Sequence, residues 1–211
     1  MYLAYSPFWL RWLYRDLTWH KSRKEKCIYL TFDDGPIPVV TPWVLNTLKD
    51  FNIKATFFCI GENVFKYPEV YQQILNDGHS VGNHTYNHLK GWKTADEIYL
   101  ANVSQCAGFV KSSLFRPPYG RIKKSQIANL KSQFPNLEII MWDVLSGDFD
   151  QDLNPEKCLQ NVLKHTQNGS VIVFHDSLKA FDRLKYALPL TIEKLQQKGF
   201  VFSALPQVAE I

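Results

Sequence analysis

At 211 residues, with 45% hydrophobic and 21% charged residues, the chain has the composition of one globular domain with a sizeable core. A formal net charge of +4, with no Lys/Arg block in the main body and no nucleic-acid motif, excludes a nucleic-acid partner. No run approaches the ~20 apolar residues that span a bilayer.

Residues 1–26 are expected to form an N-terminal extension to a domain at 27–211. Tyr5, Phe8, Trp9, Trp12, Leu13 and Leu17 recur at helical spacing. Arg11, Arg15, His20, Lys21, Arg23, Lys24 and Lys26 lie among or after them. The pattern predicts an aromatic, basic helix that packs over one end of the domain. Its alternative is an interfacial helix in peripheral contact with a membrane.

From Cys27 onward, short apolar runs alternate with helix-period segments. Strands are predicted over Cys27–Phe32, Ala55–Ile60 and Ser80–Asn83. A helix is predicted over Thr41–Phe51, with Thr41 as N-cap and Pro42 at its first position. Another covers Pro68–Asn76 and stops at Asp77-Gly78. Thr94–Ser112 reads as a long helix with Asp96 and Glu97 in its first turn, where the helix dipole favours them. Leu114–Arg116 is a brief strand, Lys124–Gln133 a helix, Glu138–Val144 a strand, Pro155–Gln167 a helix and Ser170–Phe174 a strand. Phe181–Lys198 is the last helix and Phe200–Leu205 the last strand. Strands alternating with helices argue for a parallel sheet covered by helices, and about seven such units suggest barrel-like closure.

The four cysteines, Cys27, Cys59, Cys106 and Cys158, are far apart and form no Cys-x-x-Cys. Cys27 and Cys59 sit in apolar runs, as buried free thiols do, which favours a reducing compartment. No secretory signal is visible, since Arg11 and Arg15 interrupt the first apolar stretch. A cytoplasmic or peripheral-membrane location is expected.

The chemistry-bearing residues follow predicted strands. Asp33-Asp34 follow the first, His84 and His88 the third, Arg116–Gly120 the fourth, Asp148 the fifth and His175-Asp176 the sixth. In parallel α/β architectures, groups just past the carboxyl ends of strands converge on one face. Two imidazoles and one carboxylate make a three-ligand face on a metal and leave positions open for water and substrate. A second carboxylate beside them is suited to take a proton from water. The pattern points to metal-assisted hydrolysis. His20, His79 and His165 have no such setting and read as structural or solvated.

In these motifs the chain resembles the polysaccharide deacetylases, the NodB-homology carbohydrate esterases of family 4. The matching segments occur in order: Thr31-Phe32-Asp33-Asp34-Gly35, His84-Thr85-Tyr86-Asn87-His88, Arg116-Pro117-Pro118-Tyr119-Gly120, Asp148-Phe149 and Val173-Phe174-His175-Asp176. The resemblance runs from about Cys27 to Leu205. It implies a single-domain, distorted (β/α)7 barrel. It also implies that Asp34, His84 and His88 bind a divalent metal, by default zinc, with cobalt, nickel, iron or manganese also compatible. Asp33 would be the general base and Arg116 its partner. The backbone N–H of Tyr119 would stabilise the oxyanion. His175 would protonate the leaving group, and Asp148 would orient it. The substrate implied is an acetylated carbohydrate.

Two departures concern the pocket. Phe149 stands where the family commonly has Trp, with Trp142 nearby in sequence, and Val173 stands where it has Leu. Removal of N-acetyl groups from chitooligosaccharides or peptidoglycan is the expected reaction. The alternatives are an O-acetyl xylan or sugar esterase and a non-catalytic carbohydrate-binding protein. A His-Glu-x-x-His peptidase is disfavoured, because Thr85 replaces the required Glu.

Overall fold

The computed structural model describes residues 3–207. Seven strands form one parallel sheet: β1 (Cys27–Asp33), β2 (Thr56–Cys59), β3 (Ser80–Asn83), β4 (Leu114–Phe115), β5 (Glu138–Ile139), β6 (Val144–Leu145) and β7 (Val171–His175). Their spatial order is β5-β4-β3-β2-β1-β7-β6, and β8 (Val201–Phe202) pairs with the start of β1. The helices are α1 (Phe8–Leu13), α2 (Val40–Asp50), α3 (Gly61–Lys66), α4 (Pro68–Asn76), α5 (Asp96–Ala107), α6 (Lys124–Gln133), α7 (Pro155–His165) and α8 (Phe181–Gln197).

β1 is central, and its apolar residues Ile28, Leu30 and Phe32, which share one face, are fully buried against the core. Phe32 lies in register with Phe57 of β2 and Phe174 of β7. Their rings stack at centroid distances of 5.0 and 6.3 Å. This ladder pins the register of the three strands whose ends carry Asp33, the loop to α3 and His175.

The two outermost strands of the sheet, β5 and β6, are consecutive in the chain, so the sheet curls into a barrel with its seam between them. The N-terminal segment fills that seam. Thr18 bridges Ile140 in parallel, and Tyr5 bridges Val144 in antiparallel fashion. The Thr18 N–H donates to Ile139 O at 2.9 Å, Met141 N–H to Thr18 O at 2.7 Å, and Leu145 N–H to Ala4 O at 2.9 Å. Side chains tie the same edge: Lys21 pairs with Glu138 at 2.7 Å and Arg23 with Asp143 at 2.6 Å. A barrel closed by a borrowed segment is the distortion expected above.

Several boundaries differ from expectation. The N-terminal helix is only six residues long, because the flanking backbone is hydrogen-bonded to the seam. There Leu17 and Trp19 are buried with Thr18 between them, a strand's period rather than a helix's. The strand expected over Glu138–Val144 is split in two. Its middle residues serve Arg116 and Thr18 instead: Ile140 and Met141 offer their carbonyls to the Arg116 guanidinium at 3.2 and 3.0 Å. Thr41 does not cap α2, which starts one residue earlier. Its hydroxyl accepts from the Ile37 N–H and bonds Asp176 at 2.6 Å. The helix expected over Thr94–Ser112 is shorter, ending at Ala107 before Gly108. α3 was not expected, since its Gly-Glu-Asn start carries no side-chain cap.

Candidate active site

Asp33 ends β1, opposite His175 at the end of β7 and Phe58 of β2. His84 directly follows β3, and its backbone N–H donates to Cys59 O of β2 at 3.0 Å. Arg116 follows β4, with its N–H on Asn83 O at 2.9 Å. The carboxyl ends of β1, β3, β4, β6 and β7 thus bring the expected residues to one face. Asp33, Asp34, His84, His88, Tyr119 and His175 all line one cavity of about 740 Å³. Arg116 and Asp148 lie fully buried beneath it.

Ligand atoms of Asp34, His84 and His88 lie within 4.8 Å of one another. The Nδ1 of His84 is 2.8 Å from Arg116 O. A carbonyl can only accept, so Nδ1 carries the hydrogen and Nε2 keeps a free lone pair. Burial lowers the His84 pKa to about 4, which leaves the ring neutral. The Nε2 atoms of His84 and His88 sit 3.7 and 3.2 Å from Asp34 Oδ1. That oxygen is buried and accepts no hydrogen bond. Burial raises the Asp34 carboxyl, but His88 and the charge of His175 hold it below the usual carboxylate range. A buried acceptor without a donor, facing the His84 lone pair and the His88 ring nitrogen, fits a divalent cation.

Two ion pairs flank this triad. The Arg116 guanidinium contacts Asp33 Oδ1 at 2.6 Å and Thr31 Oγ1 at 2.8 Å, and lies 4.0 Å from the Phe58 ring centroid. Its pKa is lowered by burial, and Asp33 works against that shift. On the other side, His175 Nδ1 is 2.7 Å from Asp148 Oδ1, while the His175 N–H donates to Oδ2 at 2.7 Å. Burial disfavours the imidazolium, yet the Asp148 charge and hydrogen bond outweigh it and raise the His175 pKa to about 9. The Phe149 ring meets His175 edge-on at 5.2 Å, and Trp142 and Val173 also line the cavity.

The backbone here is strained in a patterned way. Asp34, Thr85, His88 and Tyr119 have φ of 82°, 65°, 60° and 60°, four of the six non-glycine residues with positive φ among those described. Each such residue costs about 1 kcal/mol or more and persists only where its surroundings hold it. The restraints are visible. Asp176 accepts from the Gly35 N–H at 3.0 Å, and Asn63 Nδ2 donates to Asp34 O at 2.7 Å. Asn83 Oδ1 accepts from Thr85 N–H at 2.9 Å, and Thr85 Oγ1 from Leu89 N–H at 3.1 Å. A Cβ on Gly35 would fall 2.0 Å from Asp176 Oδ2, so only glycine fits beside the metal triad.

Residues 20–133 match the polysaccharide deacetylase family. The chain belongs to that family. A peptidoglycan-N-acetylglucosamine deacetylase of Bacillus cereus is 35% identical over 196 residues, covering 86% of this chain and 67% of the relative. A chitooligosaccharide deacetylase of Azorhizobium caulinodans is 31% identical over 205 residues, covering 88% and 95%. The crystal structure of a peptidoglycan N-acetylglucosamine deacetylase in complex with a naphthyl N-hydroxybenzamide has a TM-score of 0.84 at 31% identity, over 96% of each chain. This polysaccharide deacetylase is accordingly a hydrolase of non-peptide carbon–nitrogen bonds, on the family's distorted (β/α)7 barrel.

Sequence reasoning missed Asn63, Asn83 and Asp176 as organisers of the deacetylase site. Asp176 stood within a quoted motif, but its role depends on meeting Thr41 and Gly35 from distant segments. It also missed the N-terminal wall, where Leu10, Tyr14, Leu17 and Trp19 line the cavity. His79 and His165 lie outside the site: His79 Nδ1 accepts from Ala55 N–H at 3.1 Å, and His165 stacks on Tyr5 at 5.4 Å. The four cysteines are free, with Cys59, Cys106 and Cys158 buried.

Proposed function

We propose that the protein removes N-acetyl groups from N-acetylated sugars of the chitooligosaccharide or peptidoglycan type, in a reaction that needs a divalent metal. The observation that carries this reading is the Asp34–His84–His88 triad, flanked in one cavity by an Arg116-held carboxylate and an Asp148-held imidazole. A divalent cation on the triad, zinc for this donor set, supplies a more acidic water and a polarised acetyl carbonyl.

The chain's own residues do the rest. Asp33 takes one proton from the attacking water, and the hydroxyl oxygen bonds to the acetyl carbon. Arg116 holds the Asp33 carboxylate in place through their 2.6 Å ion pair. The Tyr119 N–H donates to the oxygen that becomes negative. His175, held as the imidazolium by Asp148, gives its proton to the nitrogen as the carbon–nitrogen bond breaks. The products are acetate and a free amine.

Acetate release from N-acetylglucosamine oligomers and from acetylated xylo-oligomers, by metal-stripped protein with and without added zinc, tests the reading. Zinc-dependent acetate from the amide substrate is expected. Acetate from the xylo-oligomer alone would assign an O-acetyl esterase. Stoichiometric zinc binding with acetate from neither substrate would favour the non-catalytic binding protein.

A further inference from the structure

The N-terminal segment carries features that closing the barrel does not use. Six of the 24 Lys and Arg, but only two of the 20 Asp and Glu, lie in residues 1–26. The entire formal charge of +4 therefore belongs to that segment, and the remainder of the chain balances. On α1, Phe8, Trp9, Trp12 and Leu13 are 76, 55, 65 and 46% exposed. With 3.6 residues per turn, these four positions share an arc of about 140°. Leu10, on the opposite side of the same helix, lines the site cavity.

Cations border this face at the exposed Trp12 and at the half-buried Tyr5. The Arg15 guanidinium lies 4.9 Å from the Trp12 ring centroid, and Arg11 lies 5.4 Å from that of Tyr5. Among the described residues, neither arginine lies within ion-pair distance of a carboxylate. Among the same residues, no helix is long and apolar enough to cross a membrane.

We propose that the outer face of α1 docks the protein on an anionic lipid bilayer, with Phe8, Trp9, Trp12 and Leu13 in the interface and Arg11 and Arg15 on the lipid phosphates. A short helix with aromatic and leucine side chains on one face and arginines at its flanks has the chemistry of an interfacial anchor. A glycan polymer fits this face less well. Apart from the indole N–H groups, its four side chains offer no hydrogen-bond donor or acceptor for sugar hydroxyls. Docking there sets the Leu10 and Tyr14 wall of the cavity beside the membrane, within reach of acetylated glycans held at that surface. The last consequence rests on the deacetylase reading; the docking itself does not.

Co-sedimentation of the full chain with phosphatidylcholine vesicles, with and without phosphatidylglycerol, tests the proposal. Binding is expected only with phosphatidylglycerol, with a blue shift of tryptophan emission, and weaker at high salt. Replacing Phe8, Trp9, Trp12 and Leu13 together by Ser should cut partitioning at least about tenfold. Arg11→Gln with Arg15→Gln should cut it about fivefold per arginine. These six side chains lie outside the cavity, so acetate release from a soluble oligomer should not change. That assay also separates failed docking from a failed deacetylase reading. Equal sedimentation of wild type and the Ser variant would overturn the proposal, as would no binding to phosphatidylglycerol vesicles. So would retention on insoluble chitin, without vesicle binding, that the Ser variant loses; it would assign the face to the polymer.

Discussion

Asp33 and Arg116 are buried together, and a buried ion pair punishes removal of one charge more than the intact pair stabilises. Asp33→Asn keeps the shape and two acceptor–donor positions beside the guanidinium. In the proposed reaction it removes the proton acceptor, and it leaves the buried Arg116 charge without its counter-charge. It should bind zinc with wild-type stoichiometry and lose at least about a hundredfold in kcat, with metal content and acetate release measured on one preparation. His175 gives a pH test. An imidazolium held at about 9 by Asp148 is protonated at neutral pH and loses its proton as pH rises through that value. Activity should therefore fall on the alkaline side. Asp148→Asn removes the carboxylate that raises the pKa, so the falling limb should move down toward the ordinary imidazole range near 6.5. A bound cation lowers both limbs alike, so the comparison between the two proteins stands. An unmoved limb would assign the alkaline loss to another group.

α3 is the element that organises the metal triad, although it contributes no ligand. Its first N–H groups donate to the carbonyls of Thr85 and Tyr86 at 3.0 and 2.8 Å, and Asn63 in its first turn holds the carbonyl of Asp34. One short helix thus joins the loops that carry the three candidate ligands Asp34, His84 and His88. Asn63→Ala should weaken zinc affinity about tenfold, measured by competition with a chelator, while leaving thermal unfolding of the metal-free protein nearly unchanged. The helix escaped sequence reasoning for the reason that makes it useful: its N-terminus is capped by backbone carbonyls from a distant loop, not by a local Ser, Thr or Asp. Elements capped locally were legible. α7 starts at Pro155 behind Asn154, whose side chain accepts from the Glu156 N–H at 2.8 Å. α6, with a local capping box, and α4, with no side-chain cap but with Pro68 at its first position, match their expected bounds to the residue.

At the scale of the molecule, the N-terminal segment is part of the barrel. Leu17 and Trp19 are buried in the cluster that also holds Tyr99, Phe115, Leu130 and Met141. The Trp19 indole N–H also donates to Tyr14 O at 3.1 Å. Trp19→Ala should lower stability by about 3 kcal/mol in denaturant unfolding, the cost of emptying a large core site. Trp12→Ala, on the exposed face of α1, should change it by no more than about 0.5 kcal/mol. Equal losses would mean that the seam contributes nothing beyond the surface helix.

The alternation of apolar runs and helical segments, together with polar motifs placed after the runs, was enough to infer a parallel sheet with one functional edge. Each of those signals is local, and side-chain period and turn chemistry act over a few residues. The order of the motifs, with the family resemblance they carry, likewise sufficed to nominate Asp34, His84 and His88 as candidate ligands, which the structure brings together. What needed the tertiary structure was every feature made by residues far apart in the chain. The seam is closed by residues 4–21 because two outer strands lack partners for their hydrogen bonds. The left-handed backbone at Asp34 persists because Asp176 and Asn63 hold its loop from other segments. Hydrogen-bond satisfaction and strain are sums over neighbours in space, and a linear sequence does not say who those neighbours are.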